Sequence, residues 1–541
     1  MRLFGLLASA SLLVAACGNP PPAGRGAGDP AAVAGGAEAA TGVVGGVDLV
    51  GASVADLRGA YRADRLGVAE AVSFYLARVE ALDGDYRAVI AVSPRAAAEA
   101  ARLDSLAEAR PEAADSLPLF GVPVWLKDNV ESADGLPTTA GARVLADADA
   151  GRDAALVERL RAAGAVVMGK TNLSEWANFH SSFSSSGYSG VGGQTRNAVD
   201  TTRSPCGSSS GSAVAVALGY GPVAVGTETN GSIVCPAHAN GVVGLKPTVG
   251  LVSRRGVVPI SESQDTPGPI ARSVADAAAA LTAMQGVDPA DRYTAAAADY
   301  ARRDYTDHLA GPEALRGKRL GLYTAPLGEH FRVDTLVAQT VRRLEAAGAE
   351  VVEVDDLLRE PLGRRGLDVL LYEFRDGVDA YLASLPAEAR PPAGATLAEV
   401  VAVVDASPAD LRYFDHQLLR DAAAKGPLTE EAYVTARREA TRITGAEGID
   451  RVVAELGLDA LIAPTGGPAW KIDLVNGDNF SLGSSTPAAV AGYPNLTVPM
   501  GQVDGLPVGV SFFGPAWSEP ALIEVGSAWE ALRGPLPGPG L

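Results

Sequence analysis

The chain has 541 residues, of which 47% are hydrophobic and 20% charged, and its formal net charge is −19. That balance describes a folded globular protein, long enough for one large α/β domain or two smaller ones, and excludes a disordered chain. So acidic a surface lacks the concentrated Lys and Arg that a phosphate backbone requires, which argues against nucleic acid as a partner.

The first segment reads as an address, not as structure. Arg2 opens a short basic region, and residues 3–16 are apolar but too few to span a bilayer. Val14-Ala15-Ala16-Cys17 has the form of a bacterial lipobox, in which cleavage leaves Cys17 as the first, lipidated residue; a plain secretory signal with an incidental cysteine is the competing reading. Residues 18–46 are rich in Gly, Pro and Ala and read as a flexible tether. The expected organisation is a signal over 1–17, a tether over 18–46 and one domain over 47–535. The expected location is outside the inner membrane, held to a membrane only through the lipid. The other two cysteines, Cys206 and Cys235, are read as buried free thiols, although an oxidising compartment makes a disulfide between them conceivable.

Beyond the tether, residues 53–82 carry apolar residues at helical spacing and predict two helices. A strand follows at 88–93 and an Ala-rich helix at 95–109. The chain then alternates: strand 122–127, helix 154–163, strand 165–168, helix 212–218, strand 222–226, strand 319–323, helix 333–347, strand 350–354. Residues 366–454 read as a run of helices, after which strands return at 459–463, 495–499 and 508–513. Alternation predicts an α/β fold: a large mixed, mostly parallel central sheet covered by helices on both faces. Late strands returning after a helical insertion predict a single interleaved domain.

Lysine is scarce. Only six of the 45 basic residues are Lys, and three of them, Lys127, Lys170 and Lys246, lie between residues 121 and 248. Arg does not release its proton near neutral pH, whereas a buried Lys does, so Lys in this stretch suits a site where a proton moves. Packing explains Lys170 and Lys246 equally well. Residues 164–171, GAVVMGKT, fit the phosphate-loop pattern, but the four middle residues form a strand where a cradle needs a loop, so ATP binding is not expected. Residues 207–211, GSSSG, fit the nucleophile-elbow pattern centred on Ser209, yet none of the five histidines lies in the late position its triad needs.

A second turn, GTETNGS at 226–232, follows a strand and opens a segment at 233–239 that can be helical. Backbone N–H groups there suit an oxyanion. A serine hydroxyl needs a base, and a desolvated lysine serves as one because burial lowers its pKa. Lys127 ends the apolar run GVPVWLK and has that setting. With SPCGSSSGSAVAVA at 204–217, GVVGLKPT ending at Thr248 and the upstream lysine segment, the chain resembles the amidase signature family over roughly residues 47–532. The resemblance implies the family's fold and a Ser-cisSer-Lys triad. Ser232 would be the nucleophile, Ser208 the bridging serine after a cis peptide, and Lys127 the neutral base. Backbone N–H groups of Thr229, Asn230, Gly231 and Ser232 would form the oxyanion hole. Neither cofactor nor metal is implied. Within the family, segments such as PISESQDTPGPIARSVADAA and AGYPNLTVPMG resemble bacterial peptide amidases, which implies a small-molecule or peptide amide as substrate. Three readings compete: a tRNA-dependent transamidation subunit, a His-based esterase at Ser209, and a solute-binding lipoprotein without chemistry.

Overall fold

Eleven short runs, most of them rich in Val, Leu and Ile, pair into one sheet. In chain order they are β1 (Val89–Val92), β2 (Pro123–Lys127), β3 (Val166–Thr171), β4 (Val223–Glu228), β5 (Val243–Lys246), β6 (Thr266–Ala271), β7 (Arg319–Tyr323), β8 (Glu350–Val354), β9 (Ala460–Pro464), β10 (Asn495–Val503) and β11 (Leu506–Phe513). Across the sheet they stand in the order β8-β7-β9-β11-β10-β5-β6-β4-β2-β3-β1. The computed structural model describes residues 42–302, 304–392 and 394–536. Those from Gly42 onward form one compact unit.

The sheet is mixed, as expected, but not mostly parallel. Four of its ten ladders are parallel and six antiparallel. Two features reverse the balance. β6 runs antiparallel to both its neighbours, β4 and β5. β10 and β11 form a hairpin closed by Asp504-Gly505, both at positive φ, the tight turn that matches strand twist.

Both faces of the sheet are buried. Along β2, Val124 and Leu126 enter one core cluster and Trp125 the other. Period-two alternation therefore puts Lys127 on the Trp125 side. Helix α1 (Ser210–Ala217) packs Ala213 to Val216 into that same cluster. The lysine at the end of β2 and the serines at the start of α1 thus share one face. The expected helical insertion is present as α2 (Arg365–Ser384), α3 (Leu397–Asp405), α4 (Gln417–Ala423) and α5 (Glu431–Thr444), with a separate core around Phe374 and Trp176.

The Cys17 lipobox and residues 1–41 lie outside the described residues. Within the range read as tether, Val43–Val44 pairs with Val47–Asp48 in a small hairpin. No helix among the described residues is long and apolar enough to cross a membrane.

Candidate active site

Lys127 closes β2 and is wholly buried. Its Nζ lies 2.7 Å from Ser208 Oγ, 2.8 Å from Thr227 Oγ1 and 3.2 Å from the Thr227 carbonyl oxygen. Burial drives its pKa down to about 7, and the negative charges of Asp265 and Glu228 oppose the shift. An amine near neutrality has two N–H donors and one lone pair. As an ammonium, Lys127 donates to all three oxygens; in the neutral form, with both N–H groups on Thr227, its lone pair would face the Ser208 hydroxyl. Asn129 Nδ2 donates to the same Thr227 hydroxyl at 3.0 Å and fixes it.

Ser208 follows a cis peptide after Gly207 and stands just before α1. Gly211 in the first turn of α1 has no alternative: a Cβ there would press into the carbonyl oxygen of Ala88 and the backbone of Asn172. The next residue after Ser208, Ser209, donates its backbone N–H to the carbonyl of Ser232 at 3.1 Å. That bond joins the loop carrying Ser208 to the turn carrying Ser232.

The turn at 229–232 links β4 to a one-and-a-half-turn helix at Val234–Ala239. Gly231 has φ +84, a conformation that favours glycine. Among the described residues, the backbone N–H groups of Asn230, Gly231 and Ser232 donate to no protein acceptor. Asn230, Gly231 and Ser232 line a cavity of about 530 Å³ together with Ser181, Trp470 and Phe480. Ser232 is 8% exposed and lines the cavity, while Ser208 and Lys127 are fully enclosed and do not. Among the described residues, no group of three His, Cys, Asp or Glu side chains is placed to hold a metal.

The sequence pattern of the family described as Amidase matches residues 70–523. The chain belongs to the amidase signature family. It is 49% identical to the native peptide amidase of Stenotrophomonas maltophilia, whose structure superposes with a TM-score of 0.84 over 90% of this chain and 98% of that one. A protein of Arabidopsis thaliana named for amidase activity is 36% identical over 490 residues, covering 88% of this chain and 89% of its own length. A glutamyl-tRNA(Gln) amidotransferase protein of Salinispora arenicola is 33% identical, over 91% of this chain and all of its own. This amidase is a hydrolase of carbon–nitrogen bonds in amides.

The competing motifs fall elsewhere in the amidase. Ser209 is fully buried; its Oγ donates to the Thr227 carbonyl at 3.0 Å and accepts from the Thr227 N–H at 3.1 Å, so it braces β4 and does not face the cavity. Lys170 lies within β3 and donates to the Val130 carbonyl and to Thr138 Oγ1 at 2.9 Å. Lys246 donates to the Tyr493 carbonyl at 2.7 Å. One expectation is corrected: Cys206 and Cys235 are not free thiols but a disulfide, with Cα atoms 5.9 Å apart. Close approach of the two serine-bearing turns brings these cysteines, 29 residues apart in sequence, to the cavity rim.

Sequence reasoning missed three residues that brace the site. Thr227 holds Lys127. Glu228 Oε2 accepts from the N–H groups of Ile233 and Val234 at 2.9 and 3.1 Å and so caps the helix after Ser232. Asp265 Oδ1 accepts from the Thr229 hydroxyl at 2.6 Å. The signal was a carboxylate inside an otherwise apolar strand end (VAVGTE) or just before one (SQDTPGPIA).

Proposed function

We propose that the amidase removes the C-terminal amide from peptides, releasing the carboxylate and ammonia, through a Ser232–Ser208–Lys127 triad. The observation that carries this reading is the 2.7 Å contact between the buried Lys127 Nζ and Ser208 Oγ, on a loop whose next residue, Ser209, bonds to the carbonyl of the cavity-lining Ser232. Neutral Lys127 accepts the proton of Ser208 as Ser208 accepts that of Ser232. Ser232 Oγ bonds to the amide carbon, and the oxyanion rests on the backbone N–H groups of the 229–232 turn. The same proton returns through Ser208 to the leaving nitrogen, the C–N bond breaks and ammonia departs. Water then repeats the path on the acyl-enzyme and frees Ser232.

The substrate class rests on likeness. Identity to the peptide amidase is 49%, against 33% to the amidotransferase protein, which favours hydrolysis of free amides over transamidation. Ammonia release from a panel of peptide amides, acyl amides and free Asn or Gln tests it. Turnover concentrated on peptide amides is expected; release from free Gln alone would overturn it. We further propose export and anchoring through a lipid on Cys17. Metabolic labelling with a fatty acid should mark the wild type and not Cys17→Ser, and equal labelling of both would end that part of the reading.

A further inference from the structure

The turn that carries Ser232 is gripped from three sides, and two of the grips reach it from distant parts of the chain. Glu228 holds the backbone just after the turn. Within the turn, Asn230 Nδ2 donates to Thr486 Oγ1 at 3.2 Å, and Asn230 Oδ1 accepts from Ser485 Oγ at 2.7 Å. At its start, the Thr229 hydroxyl donates to Asp265. Asp265 sits just before β6, which pairs antiparallel with β4. Its second oxygen accepts from the N–H groups of Ile260 and Ser261 at 2.7 and 2.8 Å, so the carboxylate is itself held still.

The loop that presents Asp265 is anchored in turn by the helical insertion. Glu373 of α2 is buried and accepts from Ser261 Oγ, from Ser263 N–H at 3.1 Å and from Ser263 Oγ at 2.8 Å. Tyr433 of α5 donates to its other oxygen at 2.7 Å. A chain of fixed contacts therefore runs from the insertion through the 260–265 loop to the first residue of the oxyanion turn.

We propose that Asp265 is a positioning residue for acyl transfer: through the Thr229 hydroxyl it sets the turn that carries Ser232 and the oxyanion donors. The proposal rests on the triad reading above. A carboxylate is suited to the task because a charged acceptor binds a hydroxyl more firmly than a neutral one. Oxyanion donors must hold their aim to a fraction of an ångström, and such precision comes from the shell behind them. The charged groups acting on Lys127 are Asp265 and Glu228; burial raises the Asp265 carboxyl above its ordinary range, and its hydrogen bonds and the charge of Arg254 oppose that rise. Loss of the Asp265 charge leaves the ammonium form of Lys127 less stabilised.

The test uses the whole protein and a fluorophosphonate probe, whose reaction with a nucleophilic serine is independent of which amide is the natural substrate. Thr229→Val removes the hydroxyl at nearly constant shape, and Thr229→Ser keeps it. Thr229→Val should lower the limiting labelling rate about 10- to 100-fold, less than the ~10²–10³ from deleting an oxyanion donor. Its half-saturating probe concentration should stay within about threefold of wild type, and Thr229→Ser should restore most of the rate. Asp265→Asn should in addition move the acid limb of the labelling rate to lower pH, a change that loss of packing alone would not produce. If Asp265→Asn does not fold, the two Thr229 variants still decide the positioning role. The proposal fails if Thr229→Val labels as fast as wild type, or if Thr229→Ser is as slow as Thr229→Val. Labelled wild type that releases no ammonia from peptide amides would sink the substrate reading and leave this inference standing, whereas unlabelled wild type would sink the triad and this inference together.

Discussion

The reaction should switch off as pH falls through neutrality, because its base is a lysine that burial keeps near half-deprotonated. An ordinary lysine at 10.4 is neutral in about one molecule in 2,500 at pH 7. Enclosure behind Ser208 brings Lys127 to about 7, so roughly half the molecules carry the free amine at that pH. Burial thus multiplies the working base about a thousandfold, a shift equivalent to ~5 kcal/mol. The sign follows from the neutral form being the competent one: kcat/KM is flat above pH 8 and declines tenfold per unit below about 6. At pH 5 it should stand near one hundredth of its plateau. The assay is product formation from a peptide amide by chromatography, from pH 5 to 9 at constant ionic strength. Asp128, raised by burial to about 6, is a neighbouring carboxyl whose titration would imitate this limb, and Asp128→Asn should leave the limb in place. Lys127→Arg keeps a cationic side chain but stays protonated and has no lone pair to accept a proton, and should lose at least ~10²–10⁴ in kcat. A limb centred below pH 5, or Lys127→Arg with a tenth of wild-type activity, would refute the reasoning.

Three further outcomes are expected. Reduction of the Cys206–Cys235 bridge, or its replacement by paired serines, frees a 29-residue loop and should lower stability by roughly 3–4 kcal/mol on chain-entropy grounds, read as an earlier midpoint in urea. An unchanged midpoint would show that packing alone fixes the two turns. Phe480 stands at the cavity mouth edge-on to Trp470, with ring centroids 5.6 Å apart. Phe480→Ala should raise KM for peptide amides several-fold and change kcat by less than about twofold, as expected of a cavity-lining residue that takes no part in the acyl transfer. Asn230→Ala removes the bonds to Ser485 and Thr486 but leaves the backbone donor, so kcat should fall by no more than about tenfold.

Much of this site was legible because its chemistry is written in consecutive residues. GTETNGS follows an apolar strand and GSSSG opens an Ala-rich helix, so both serines could be placed on element ends. Strands Arg319–Tyr323 and Glu350–Val354 begin and end where the apolar runs do. β3 proved longer than expected, because Lys170 and Thr171 read as polar but find buried partners in Thr138 and Ser212. Strand direction was less legible. Alternation implies parallel crossovers, whereas the Asp504-Gly505 pair between two apolar runs is the local mark of an antiparallel hairpin. The bracing residues were hidden for a different reason. Asp265 and Thr229 are 36 residues apart and meet only because β6 folds back against β4. The disulfide depends on the same tertiary closeness, which no local pattern reports.

The most direct measurement is to locate a covalent adduct. Wild-type protein treated with a fluorophosphonate, digested and mapped by mass spectrometry should carry the phosphonyl group on Ser232, and Lys127→Met should carry little or none. An adduct on Ser209 or on any other serine, or equal labelling of the Lys127→Met protein, would contradict the account.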